Sequence, residues 1–204
     1  MTTRPDDYWQ KQARRYDRAT LLLNRGFDAV AGAVAEALPA DAEVLEVAAG
    51  TGLATQVAVS RARRYLATDG SPAMLEILRG RLGEQAHLEV READALALDL
   101  PDASFDAVLV CNLLHLLDEP TAALAEARRV LRPGGLLVAP TFCHGAGLVA
   151  QGVSRVIGLT GFPIVTRFVG EDLDELVTGA GFEVRDARTY AGLLPIRFVA
   201  ATRP

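Results

Sequence analysis

The sequence predicts an α/β fold on one mostly parallel sheet. Two observations carry that expectation. Short apolar runs that suit buried strands alternate with segments of helical period, and two strand-like segments close the chain as a hairpin. The 204 residues, 50% hydrophobic and 23% charged, are enough for one well-cored domain. No repeat, low-complexity tract or linker divides them, so residues 1–204 are expected to form a single domain.

Residues 21–38 place Phe27, Val30, Val34 and Leu38 at helical spacing, which continues an N-terminal helical arm over about residues 1–40. Val44–Val47 is a short apolar run suited to a buried parallel strand. Gly50 and Gly52 turn the chain into a helix over 53–60, and a second strand over 64–68 stops at Asp69. Ser71 then reads as an N-cap with Pro72 at the first helical position of a helix reaching Leu82. Strands follow over 87–91 and 105–111. Pro120 opens a helix that Pro133-Gly134-Gly135 closes, and a fifth strand covers 136–142. Residues 145–169 are rich in glycine and apolar side chains with weak periodicity, and are expected to form a ligand-facing or lid segment. A last amphipathic helix over 171–179 leads to strands over 182–190 and 193–202.

The net charge of −5 provides no electrostatic footprint for nucleic acid, so no nucleic-acid partner is expected. Arg61, Arg63 and Arg64 read as a solvated surface. Two cysteines make no disulfide framework, the N-terminus lacks the apolar core of a signal peptide, and no run reaches the length of a membrane span. A cytoplasmic setting is the expectation.

Chemistry concentrates at strand ends. Val44-Leu-Glu-Val-Ala-Ala-Gly-Thr-Gly-Leu-Ala54 carries a strand through a glycine turn into a helix, where a ligand approaches bare backbone. By itself that turn is equally a structural one. Glu46, four positions before Gly50, sharpens the reading. A buried carboxylate needs a partner, and here it suits orienting the loop amides or a cationic ligand, not binding phosphate. Asp69 lies 17 residues after Gly52, where a carboxylate accepts from both hydroxyls of a ribose or closes a turn. As a strand-end residue with few neighbours it is expected to matter little to folding. Asp94, just past the third strand, is either a loop residue or an acceptor for an adenine amine, with the Ala95 amide reading a ring nitrogen. Recurrence at three successive strand ends favours the ligand reading.

With these residues in view, the chain resembles the class I S-adenosylmethionine-dependent methyltransferases, particularly the small ubiquinone/menaquinone-type and related lipid or metabolite enzymes. The resemblance covers about residues 8–140, with a looser echo in the terminal hairpin. It rests on Glu46-Val-Ala-Ala-Gly-Thr-Gly52, Asp69, Asp94-Ala95, Leu100-Pro-Asp-Ala-Ser-Phe-Asp-Ala-Val108, Leu131-Arg-Pro-Gly-Gly135 and Arg15-Tyr16-Asp17. The resemblance implies a Rossmann-like, seven-stranded, mostly parallel sheet of order 3-2-1-4-5-7-6, with strand 7 antiparallel and helices on both faces. It implies S-adenosylmethionine as cofactor, S-adenosylhomocysteine as product, and a small, apolar or lipid-like acceptor. Implied cofactor residues are Tyr16 in the arm, Glu46, Ala48, Gly50 and Gly52 at the turn, Asp69, Gly70 and Met74, Asp94 and Ala95, and Asn112 beside the sulfonium. Ala48 stands where the family usually has its first glycine. A methyl group is small, so the expectation is tighter packing against the methionine moiety.

Because the sulfonium already activates the methyl carbon, the protein mainly has to orient the nucleophile, an effect on the order of 7–11 kcal/mol. A general base is needed only for an acceptor that begins protonated. His115 and His144 are the candidates, each equally open to a structural role. Cys111, His115, Cys143 and His144 have zinc-compatible side chains, but their spacing is not a familiar zinc pattern, and no metal site is expected. His87 is expected at the surface, at the other end of the sheet. Two rivals stand. A nicotinamide-dependent oxidoreductase would want a glycine where Thr55 stands and has no use for Glu46. A non-catalytic protein that binds S-adenosylmethionine or S-adenosylhomocysteine is the other.

Overall fold

The computed structural model describes residues 27–159, 162 and 164–204. The readings placed on Arg15, Tyr16 and Asp17 lie outside the described residues. In chain order the elements are α1 (Phe27–Ala37), β1 (Ala42–Val47), α2 (Thr55–Ala58), β2 (Ala62–Asp69), α3 (Pro72–Leu82) and β3 (Leu88–Glu92). They continue with β4 (Phe105–Val110), α4 (Pro120–Val130), β5 (Leu131–Val138), β6 (Thr141–Phe142), α5 (Gly147–Gly158), α6 (Asp172–Gly179), β7 (Glu183–Tyr190) and β8 (Ile196–Thr202). Single 3₁₀ turns occupy Val59–Arg61 and Leu114–Leu116.

The strands form one sheet of order β3-β2-β1-β4-β5-β8-β6, with β7 on the other side of β8. Pairings from β3 to β5 are parallel, and β8 runs antiparallel to β5, β6 and β7. Segment 141–142 is the far end of the expected fifth strand. Pro140 has no amide to donate, so the strand is interrupted there and resumes on β8 opposite Ile196 and Arg197. Counted as one strand with β5, it makes the order the seven-stranded one the resemblance implied. The expected strand start also shifts, because α4 ends at Val130 and the Pro133-Gly134-Gly135 turn is carried inside β5 as an irregularity opposite Phe105–Ala107.

Parallel central strands are buried on both faces, which is why they read as continuous apolar runs. Successive residues feed opposite cores. Leu45, Val47, Leu66, Val108 and Leu137 meet Leu124 and Ala127 of α4 and Leu173 and Val177 of α6. Val44, Tyr65, Ala67, Ala107 and Leu109 meet Val34 of α1, Ala58 of α2 and Leu78 of α3 on the other face. The two edges, β3 and β7, are largely exposed and carry charges such as Glu89, Arg91, Arg185 and Asp186. That is the usual protection of an edge strand. Arg63 and Arg64 pair with Glu43 and Glu89 at 3.3 and 3.4 Å, a solvated surface as expected. His87 is half-buried beside them, so it is less exposed than its sequence position suggests.

The weakly periodic segment contains a helix. α5 buries Ala150 and Ser154, while Leu148, Val149, Val156 and Leu159 face outward. Its most buried side carries Ala150 and Ser154 while its large apolar residues are exposed, so the apolar positions do not mark the face that packs.

Candidate active site

β1 has β2 on one side and β4 on the other, so the connections leave it in opposite directions and open a crevice at the carboxyl ends of the strands. A cleft of about 1020 Å³ lies there. Ala48 enters it after β1, Asp69, Gly70 and Ser71 after β2, Met74 from α3, Glu92–Leu96 after β3, and Cys111, Asn112 and Leu113 after β4. Seven residues singled out from the sequence therefore share one wall: Ala48, Asp69, Gly70, Met74, Asp94, Ala95 and Asn112.

Glu46, Gly50 and Gly52 are absent from that lining and work behind it. Glu46 is 1% exposed, and its Oε2 accepts from the Thr55 hydroxyl at 2.6 Å and the Tyr65 hydroxyl at 2.7 Å. Burial pushes its carboxyl up to about 7 despite those two donors, and the nearby Asp69 adds to the rise. It ties β1 to α2 and β2, bracing the turn from beneath. The amide it was expected to orient is held by another residue. Asp69 accepts from the Gly50 N–H through Oδ2 and from the Ser71 N–H through Oδ1, both at 2.8 Å. Partial burial raises the Asp69 pKa, and these two amides oppose the rise. Each carboxylate oxygen keeps a second lone pair for a ligand. The expectation that Asp69 matters little to folding is corrected by these bonds. It closes the turn and faces the cleft at once.

Gly52 has φ +83°, and a Cβ there would meet Leu78 Cγ at 2.9 Å, so glycine lets α3 pack against the turn. Ala48 holds φ +56° while lining the cleft. The position therefore demands a left-handed backbone as well as little bulk, and alanine pays roughly 1–2 kcal/mol for it. Asn112 is also left-handed, at φ +53°, and its amide donates to the Pro140 carbonyl at 2.7 Å. Its side-chain Oδ1 is buried without a hydrogen-bond partner among the described residues. Asp94 is exposed, and its Oδ1 caps the Leu96 amide at 2.9 Å. Ser71 occupies the N-cap position, but its hydroxyl makes no capping bond; it is 2% exposed and lines the cleft.

The charges of the wall were only partly foreseen. Asp69, Glu92, Asp94, Asp118 and Glu119 line it, and no Arg, Lys or His does so among the described residues. Such a wall repels phosphates and attracts a cation.

His115 and His144 do not line this cleft. Both are 1% exposed, with ring centroids 5.0 Å apart. His115 also meets Phe142 edge-on at 5.8 Å and stacks on Phe162 at 6.5 Å. Desolvation holds His115 well below the ordinary imidazole range, with His144 adding to the effect. Desolvation, then the Arg167 charge, lowers His144 to about 4. Cys111 and Cys143 are free thiols.

The methyltransferase domain family matches residues 45–139, the stretch that supplies β1, the glycine turn, β2 to β4 and β5. That stretch is a methyltransferase domain. Similar to it is the demethylmenaquinone methyltransferase of Clavibacter sepedonicus, 40% identical over 126 residues that cover 60% of this chain and 51% of that protein. The enzyme of the same name from Tropheryma whipplei (strain Twist) is 35% identical over 145 residues, 70% of this chain and 60% of its own length. The methyltransferase chain thus spans only half to three fifths of those relatives. A SAM-dependent methyltransferase from Thermotoga maritima superposes with a TM-score of 0.76 at 22% identity, covering 96% of this chain and 98% of that one, a likeness of fold. In the methyltransferase domain, the matched segment contains every cleft-lining residue named from the sequence.

Proposed function

We propose that the chain binds S-adenosylmethionine in the strand-end cleft and transfers its methyl group to a small, apolar, ring-bearing acceptor. The observation that carries this reading is the cleft's charge: five carboxylates and no basic side chain among the described lining residues. A dinucleotide carries a pyrophosphate, which this wall would repel, whereas a sulfonium is cationic. The residues fit the group. Asp69 offers free lone pairs for ribose hydroxyls, the Asp94-Ala95 pair lines the cleft and would read an adenine edge, and Asn112 Oδ1, buried with no partner among the described residues, is available to a positive charge. Ala48 and Gly70 leave room for the ligand to approach the backbone. When bound, the cofactor supplies a methyl carbon already activated by its sulfonium.

What remains for the protein is orientation and exclusion of water. Helix α5 and the segment 164–169, rich in apolar side chains, form the acceptor-side wall in this reading. The names of the two relatives, which act on demethylmenaquinone, favour a quinol-like acceptor. The decisive experiment pairs calorimetry with turnover. S-adenosylhomocysteine is expected to bind and NAD not to bind. Labelled methyl from S-adenosylmethionine is expected to appear on a reduced naphthoquinone. Tight binding without transfer to any ring-bearing acceptor would favour the non-catalytic reading, and NAD binding in place of S-adenosylhomocysteine would overturn the proposal.

A further inference from the structure

Two neutral imidazoles bring two donors and two acceptors into the protein interior. All four ring nitrogens of His115 and His144 are buried, and none has a hydrogen-bond partner among the described residues. Leaving buried polar atoms unpaired is costly, and native structures keep few without a reason. Packing alone offers none, since phenylalanine or leucine would fill the same space without the penalty.

The pair's position suggests the reason. His115 lies in the turn Leu114–Leu116, between Leu113 and Leu116, which both line the cofactor cleft. His144 comes two residues after β6 and contacts His115 and Phe142. Two imidazoles and two phenyl rings, Phe142 and Phe162, therefore make an aromatic cluster directly behind that wall. Flat apolar faces with unpaired polar edges suit a planar ring bearing oxygen.

We propose that His115 and His144 form the acceptor subsite, gripping the ring oxygens of a hydroxyaromatic acceptor and receiving its hydroxyl proton. The inference rests on the methyl-transfer reading for its chemistry. As the hydroxyl proton passes to an imidazole nitrogen, the O–H electron pair stays on oxygen or moves to the conjugated ring carbon. That atom bonds to the methyl carbon while the carbon–sulfur pair returns to sulfur. The products are a methylated acceptor, a neutral thioether and one proton on the pair. Only one imidazole takes the proton, because the second ring 5.0 Å away and the Arg167 charge near His144 both resist a second cation.

The test uses 1-naphthol as probe, titrated by calorimetry with and without S-adenosylhomocysteine, on the wild type and on His115→Phe, His144→Phe and the double variant His115→Phe/His144→Gln. The Phe variants are expected to weaken naphthol binding by at least about tenfold, as for a lost hydrogen bond to a polar ring substituent. They should leave S-adenosylhomocysteine affinity unchanged and melt no lower than the wild type, because an unpaired buried imidazole has been removed. The double variant His115→Phe/His144→Gln keeps a hydrogen-bonding group but no base. Its methyl transfer should therefore rise with pH toward the phenol's own pKa of about 10, while the wild type stays flat above neutrality. Undiminished naphthol binding and an unchanged pH profile in all three variants would make the pair a packing feature and overturn the inference. So would a wild type that binds S-adenosylhomocysteine but no naphthol. Failure of S-adenosylhomocysteine to bind would instead count against the methyl-transfer reading, while the titration without it still reads the histidines.

Discussion

Asp69 shows how one side chain serves fold and site together. Its oxygens hold the amides of Gly50 and Ser71, so Asp69→Ala orphans two partly buried donors. That substitution is expected to cost roughly 1–3 kcal/mol of stability. It should also weaken S-adenosylhomocysteine binding by a further 1.5–3 kcal/mol or so, the range for hydrogen bonds to a charged group. Denaturant melts and calorimetry on the same variant separate the two losses; an unchanged affinity would return Asp69 to the role of turn residue. Glu46 makes a prediction about pH. Its folded pKa of about 7 lies above its ordinary value of 4.5, so between those values the folded state binds the extra proton. Stability is then greatest at the acid end and falls as pH rises toward 7, by up to about 3 kcal/mol over the window, and levels off above it. In Glu46→Gln this contribution should vanish, leaving a flatter stability profile between pH 4.5 and 7. Urea melts across that range check it, and an equal slope in both proteins would contradict the assignment.

The elements differ in how plainly the sequence announces them. α3 runs from Pro72 to Leu82, the bounds expected from the Ser71-Pro72 start. α5 was hidden because its outward residues are as apolar as its inward ones. Where that helix is joined to the sheet, Gly145 is wedged against another segment. Its amide donates to the Phe168 carbonyl at 3.0 Å, and an added Cβ would collide with Val169 Cγ2 and stand 3.0 Å from the Arg167 carbonyl. Gly145→Ala is therefore expected to cost about 1–3 kcal/mol, the usual penalty for overpacking. It should loosen α5 more than the β1–β4 half, and hydrogen exchange resolved by segment reads that difference. Uniform loosening of the sheet, or none anywhere, would show that this contact does not anchor the helix.

At the scale of the molecule, the sheet separates two cores and leaves its carboxyl ends free to carry the cleft. A ligand seated there touches the ends of β1, β2, β3 and β4 together, so its binding energy adds to the stability of the whole parallel half. At a concentration one hundred times its Kd, S-adenosylhomocysteine should stabilise the fold by about 2.7 kcal/mol. For a chain of this size that corresponds to a melting temperature higher by roughly 5–10 °C. NAD at the same concentration should produce no shift. A thermal scan in which NAD stabilises and S-adenosylhomocysteine does not would reverse the assignment of the cleft.

Local signals in the chain were sufficient for the strand–helix alternation and for Asp69, Asp94 and Ala95 at strand ends, while the family resemblance supplied the sheet order and the cleft residues Ala48, Gly70, Met74 and Asn112. A parallel strand buried on both faces is written as an apolar run, and the polar residue that ends β2, Asp69, faces the crevice. Tertiary structure alone decided which carboxylate does what. Glu46 and Asp69 are both acids at strand ends, yet neighbours distant in sequence, Thr55 and Tyr65 for one and Gly50 for the other, send the first beneath the turn and the second into the cleft. It also decided that Ala48 sits in a left-handed backbone, that α5 is a helix, and that His115 and His144 meet with no hydrogen-bond partner for their nitrogens among the described residues. Burial and hydrogen bonding are properties of pairs brought together from far along the chain, and neither residue of a pair carries the signal by itself.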